Sequence, residues 1–265
     1  MSIPPLTIVL AGWLAAALLM VGLWLVQKGR RNAAILDVGW CLSFGLVAIW
    51  YALAVQGEPA RRFLVAVLAA TWGFRLALHL FFDRVHEKPE DGRYQTLRRQ
   101  WGDRAPLYFF LLFQLEALAI PVLSFPLLVL MRNPRPTFSL WELAGVLVWL
   151  VAVGGEWVAD RQLARFRADP HNRGRTCRDG LWRYSRHPNY FFEGLHWWAY
   201  VLMGVGVPAG WVTLLGPLLM TVALLKISGL PLAEAQALAS RGEDYRDYQR
   251  TTSAVIPWFP KQAGR

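Results

Sequence analysis

Pro5-Leu-Thr-Ile-Val-Leu-Ala-Gly-Trp-Leu-Ala-Ala-Ala-Leu-Leu-Met-Val-Gly-Leu-Trp-Leu-Val26 runs without a charged residue. About 20 mostly apolar residues suffice for a helix to cross the hydrocarbon core of a bilayer. The run therefore reads as a spanning helix. A cleaved signal peptide would need a basic segment before a shorter apolar run. Here the basic residues come afterwards, in Lys28-Gly-Arg-Arg31. Six further windows qualify or nearly so: about 35–55, 63–82, 107–131, 139–158, 190–206 and 210–230. The sixth of the seven is short and polar at its start. The pattern predicts an all-α integral membrane protein of seven transmembrane helices, a single polytopic domain over residues 1–265.

Composition agrees. The chain is 55% hydrophobic and 17% charged, with fourteen Trp, and its mean hydropathy is +0.30. Soluble domains carry about 25% charged residues. Tryptophan is enriched where membrane meets water. The net charge of +10 has two readings, nucleic-acid binding or the Lys/Arg excess of cytoplasmic loops. Its distribution decides for the second. The loops after the first, third and fifth windows and the tail hold 22 Lys and Arg, and the other three loops hold 4. The N-terminus is expected outside and the C-terminus in the cytoplasm, in a multi-pass protein of the cytoplasmic membrane. The expected partner is the bilayer, not nucleic acid; the hydrophobic lipid substrate expected beside it comes from the resemblance given below.

Several chemistries have no motif. Cys41 and Cys177 offer neither a disulfide framework nor a C-x-x-C pair. No His/Cys/Asp/Glu spacing is that of a metal site. There is no G-x-G-x-x-G, no P-loop and no G-x-S-x-G elbow. The chemistry gathers in the loops at about 83–106 and 159–189 and in the tail 231–265, and in polar residues at membrane depth. Ionisable groups at that depth are costly and usually functional. They are Asp37, Arg75, His79, Glu116, Glu156, Asp160, Glu193 and His196, nearly all on the expected cytoplasmic side. Arg75 could instead neutralise Asp37 or Glu116 as a structural pair.

The densest polar stretch is Gly180-Leu-Trp-Arg-Tyr-Ser-Arg-His-Pro-Asn-Tyr190, followed by Phe-Phe-Glu193. It resembles the C-terminal signature of the membrane steroid 5-alpha-reductase and sterol-reductase superfamily. So does the tail from Tyr245-Arg-Asp-Tyr248 to Ala254-Val-Ile-Pro257. Within that superfamily the whole chain resembles a bacterial-type branch of uncharacterised seven-helix proteins. The matches include Asp37-Val-Gly-Trp40, Trp72-Gly-Phe-Arg-Leu-Ala-Leu and Asp160-Arg-Gln-Leu-Ala-Arg-Phe-Arg167.

The resemblance implies NADPH in a cytoplasm-facing cavity and hydride transfer to an activated carbon–carbon double bond of a steroid-like, isoprenoid or fatty-acyl lipid. Asp160, Arg167, Asn189 and Glu193 match family cofactor residues, and Arg75 with His79 resembles an Arg-x3-Tyr pair. Glu156 stands where the steroid reductases have Asn. Arg173, Arg178 and Arg186 would add bidentate forks for phosphates. Tyr184 and Tyr190 could stack on the rings, with His187, Tyr245 and Tyr248 completing the cofactor side. The substrate half departs from the pattern. The family's Gln-Glu pair of helix two resembles Leu36-Asp37 here, and the Tyr of helix three resembles Trp72, which has no phenolic proton. Asp37 and Glu116 are left as candidate catalytic acids. A second resemblance, to S-adenosylmethionine-dependent isoprenylcysteine carboxyl methyltransferases, rests on the Arg-His-Pro-x-Tyr element. Those enzymes follow it with a Glu-Glu pair, where this chain has Glu234 alone.

Overall fold

The computed structural model describes residues 3–227 and 229–261. Among them the ordered backbone is helical, and no strand occurs. Six helical stretches are long and apolar enough to cross a membrane: Pro5–Arg30, Ile35–Ala54, Pro59–Val85, Gly92–Met131, Leu140–Ala168 and Gly210–Arg241. The window at 190–206 folds as Pro188–Met203, a helix of 16 residues. At about 1.5 Å per residue it is shorter than the ~30 Å hydrocarbon core. The chain divides into two compact units, Met1–Ser139 with Gly204–Thr213, and Leu140–Met203 with Leu214–Arg265.

The first unit contains α1 (Pro5–Arg30), α2 (Ile35–Ala54), α3 (Pro59–Leu80), α4 (Gly92–Trp101) and α5 (Ala105–Met131). Proline stands in the first turn of α1, α3 and α5, where its fixed φ suits a helix and no amide donor is lost. Asp91 caps α4 by accepting from the Arg93 amide at 2.9 Å. The faces of α1 show the solvent it expects. Ile8, Gly12, Ala16 and Met20 recur every fourth residue and are buried. Leu6, Leu10, Leu14 and Leu18 also recur every fourth residue and are exposed. A helix apolar on both faces is fitted to lipid on one side and protein on the other.

The packing of α2 on α3 depends on a missing side chain. A Cβ on Gly73 would lie 2.7 Å from the Cys41 carbonyl oxygen, so the backbones approach as closely as small residues allow. Trp72 and Phe44 meet edge to face beside this contact, 5.3 Å apart. At its C-terminal end α3 widens into a π turn, Phe81–Val85, closed by the His86 amide on the Phe81 carbonyl at 2.8 Å.

The second unit contains α6 (Leu140–Ala168), α7 (Pro188–Met203), α8 (Leu215–Val222), α9 (Leu230–Arg241) and α10 (Glu243–Thr251). The long α6 carries the Glu156–Arg167 segment as one continuous helix. Between α6 and α7 the chain turns at Gly180, whose φ is +57°. A Cβ there would collide with the Gln162 side chain. That amide oxygen instead accepts from the Leu181 amide at 2.8 Å, which ties the polar stretch to α6.

Candidate functional site

In the first unit polar groups converge on Asp37, on the first turn of α2. Its Oδ2 accepts from Arg84 Nη1 and Arg93 Nη2, each at 2.9 Å, and its Oδ1 from the Tyr94 hydroxyl at 2.6 Å. The π turn supplies Arg84, and the first turn of α4 supplies Arg93 and Tyr94. Arg93 also bonds Asp91 through Nε at 3.1 Å and Nη2 at 3.2 Å. Burial alone would raise the Asp91 carboxyl. The hydrogen bonds and charge of Arg93, with Arg84 behind them, outweigh it and hold the group below its ordinary value.

The surrounding loop is stitched in place. Glu90 accepts from Arg98 at 2.7 Å and from the Ala33 amide at 2.9 Å, and Asn32 donates to the Arg84 carbonyl at 3.2 Å. Tyr94 itself is buried and packs on Phe109. Glu116 of α5 lies within electrostatic reach of Asp37 and Tyr94. Two residues away, Gln114 has a solvent-shielded Nε2 with no acceptor. Arg75 and His79 stand half-buried one turn apart on α3. An apolar groove of about 290 Å³ runs between α2 and α3, lined by Ile49, Leu53, Phe63, Val67 and Phe74 among others.

Tyr94 is the residue that sequence reasoning missed. The helix-three position that the resemblance gives to a Tyr is Trp72 here, fully buried in the core. The donor comes from α4, 57 residues beyond Asp37. No spacing in the chain announces that pairing. Asp37 thus accepts three hydrogen bonds from two other elements.

In the second unit the convergence point is Glu234 of α9. Its Oε1 accepts from Arg186 Nε at 2.7 Å and pairs with Nη2 at 2.6 Å. Its Oε2 accepts from Gln249 at 2.8 Å. The Tyr245 hydroxyl and His187 Nε2 each lie 3.4 Å from Oε1. Arg186 Nη1 donates to the carbonyls of Gln249 at 3.1 Å and Thr252 at 2.7 Å. Tyr190 stacks on His187 with ring centres 5.1 Å apart. Burial, with the charge of Glu234, pushes the Tyr245 phenol up to about 12.

Other expected cofactor residues make ties of the same kind. Arg178 bonds Asp247 and Asp244, each at 3.0 Å, and lies over the Tyr248 ring. The buried Tyr248 hydroxyl donates to the carbonyls of Trp182 and Ser185. Arg186 and Arg178 thus hold the loop together with donors that had been expected to face phosphates. Arg167 and Arg173 stand exposed, and Tyr184 is half-buried. Glu156, Asp160 and Glu193 are buried. Asn189 keeps a solvent-shielded Oδ1 that accepts no hydrogen bond. A buried acceptor without a donor is costly, and a ligand amide would satisfy it. Burial raises the Cys177 thiol, so it is not a reactive thiolate.

The residues fit a pyridine dinucleotide phosphate. Asn189 Oδ1 is an acceptor of the right type for a carboxamide, and exposed guanidiniums at Arg167, Arg173 and Arg175 are of the right type for phosphates. Among the described residues no group of three or more His, Cys, Asp or Glu could hold a metal ion.

Comparison with known proteins gives two matches. An uncharacterised protein of Schizosaccharomyces pombe is 26% identical over 208 residues, covering 69% of this chain and 60% of that protein. The chain therefore spans less than two thirds of that relative's length. No solved structure matches. A family model described as a protein of unknown function, DUF1295, matches residues 23–252. By that match the chain belongs to the DUF1295 family, a steroid 5-alpha-reductase-like group of membrane proteins.

Proposed function

We propose that this protein is a membrane NADPH-dependent reductase of an activated carbon–carbon double bond in a lipid. The observation that carries the reading is the buried Tyr94 hydroxyl, 2.6 Å from an Asp37 carboxylate that two arginines also hold. When bound, NADPH supplies a hydride to the β-carbon of the double bond. The chain's own work is at the activating carbonyl. As charge grows on that oxygen, the Tyr94 O–H would turn from Asp37 Oδ1 to it, the single phenolic proton leaving one acceptor for the other. Until then Asp37 Oδ1 holds the phenol in place, and Arg84 and Arg93 bond its other oxygen. Gln114 Nε2 offers a second buried donor in the same unit.

On the cofactor side, Asn189 would bond the carboxamide and Glu193 a ribose hydroxyl. Arg167 and Arg173 would take the phosphates, with Asp160 and Glu156 ordering the rest. The proposed substrate is a steroid-like, isoprenoid or fatty-acyl lipid; the apolar groove between α2 and α3 lies toward the end of α2 away from Asp37. The same reading places α7 as a seventh, short span, with the N-terminus outside, the C-terminus in the cytoplasm and the protein in the cytoplasmic membrane.

The test is calorimetric titration of the detergent-purified protein with NADPH, NADH and S-adenosylmethionine. Selective NADPH binding that weakens in Asn189→Ala supports the reading. Binding of S-adenosylmethionine alone would transfer the chain to the methyltransferases, and binding of none would remove the enzymatic reading.

A further inference from the structure

Beyond α10 the chain forms a non-helical strap over residues 252–261. Its backbone is fixed at four points. The Ser253 carbonyl accepts from the Arg186 amide at 2.9 Å, and the Val255 carbonyl from Ser185 Oγ at 2.7 Å. The Trp258 amide donates to the Tyr184 carbonyl at 2.9 Å, and the Lys261 amide to the Thr251 carbonyl at 2.8 Å. The strap nevertheless presents its largest apolar side chains outward. Ile256 is 67% exposed, Trp258 69% and Phe259 76%.

These side chains continue into a basic–aromatic surface. The Trp258 and Phe259 rings meet edge to face at 6.4 Å. Phe259 meets Tyr184 at 6.1 Å, and the Arg183 guanidinium lies over Tyr184 at 6.0 Å. Arg183 and Lys261 are both exposed. No Asp or Glu occurs from Gly180 to Phe192 or from Tyr248 to Lys261.

A fixed backbone holding Trp, Phe and Ile in water loses the benefit of burying them, about 25 cal/mol per Å² of apolar surface. A bilayer interface removes that penalty, since Trp rings settle at headgroup depth and nearby Lys and Arg meet anionic headgroups. We propose that the strap is an interfacial anchor. Ile256, Trp258 and Phe259 enter the boundary between headgroups and acyl chains of an anionic leaflet, and Arg183 and Lys261 face its phosphates. The same molecule carries helices long and apolar enough to cross a membrane. The proposal does not depend on the reductase reading.

The full chain is labelled with the fluorophore NBD at Phe259→Cys and, separately, at Ile256→Cys. The native Cys41 and Cys177 are buried, so the parent protein serves as the labelling control. Each sample is placed in nanodiscs of phosphatidylcholine with or without phosphatidylglycerol. Both positions should emit blue-shifted light, lose most of it to a nitroxide on the shallow acyl chain, and be shielded from aqueous iodide. The quenching should be stronger in the anionic discs, and that difference should vanish in Arg183→Gln/Lys261→Gln or in high salt. Iodide quenching without nitroxide quenching would place the strap in water and overturn the proposal. Shielding from both quenchers would mean that a protein surface covers it, which also overturns the proposal. Equal nitroxide quenching in both discs would overturn the anionic preference.

Discussion

Asp37 and Glu234 are both carboxylates crowded by donors, and they differ in what the donors are attached to. Among the described residues the arginines on Asp37 bond carboxylates only, and the phenol beside them, Tyr94, is at 2.6 Å where Tyr245 stands 3.4 Å from Glu234. Around Glu234 the principal donor, Arg186, also reaches the carbonyls of Gln249 and Thr252. It therefore fastens the end of the chain to the Arg-His-Pro element. The first arrangement holds a proton where a reaction could use it. The second holds backbone. A carboxylate's function is set by its donors as much as by its own burial.

Four changes break or sharpen that contrast. The largest effect is expected from Tyr94→Phe, which keeps the ring against Phe109 and removes only the hydroxyl. Reductase turnover should fall by about 100-fold or more, with NADPH affinity unchanged. Wild-type turnover in that variant would end the role of Tyr94. Next is Arg186→Gln, which leaves the half-buried Glu234 without its closest donors. It should cost about 3 kcal/mol of stability, read as a lowered Tm in detergent. If the Tm held and only cofactor affinity fell, Arg186 would be a phosphate ligand after all.

A smaller effect is expected from Asn189→Ala, which removes one acceptor and should weaken NADPH binding about fivefold. The smallest concerns acid. Burial opposes ionisation at Asp244, but hydrogen bonds from Thr176 and Arg178 outweigh it and lower the carboxyl. Arg178 chiefly lowers Asp247 as well. A carboxyl depressed in the folded state contributes stability above its ordinary value of 3.8 and loses it as pH falls through the folded value. The Tm should hold through neutral pH and drop on acidification below about pH 4, less steeply in Arg178→Gln. An identical acid limb in that variant would refute the assignment.

The helices were legible because lipid leaves so few options. A backbone that must satisfy itself within one segment leaves a long apolar run in the sequence. Residues one turn apart on a single helix were legible too, such as Asn189 and Glu193 on α7. The partners of Asp37 and Glu234 were not. Tyr94 reaches Asp37 across 57 residues and Glu234 reaches Arg186 across 48, and nothing local records such pairings. Glu234 had drawn notice only as a missing half of another family's motif. The window at 190–206 ran past the end of α7 because Gly204 to Gly206 continue its composition after Met203.

The π turn at Phe81–Val85 has a consequence for how α3 tolerates change. A helix advances ~100° per residue, and a π turn absorbs one residue more than the regular spiral would. Shortening this stretch by a single residue would restore an unbroken α3. Closing the turn to α geometry with every residue kept would instead swing the chain beyond it by roughly that angle, and carry Arg84 away from Asp37. The segment works as a vernier, in which the width of one turn sets the aim of a guanidinium while the hydrophobic body of the helix stays where it is.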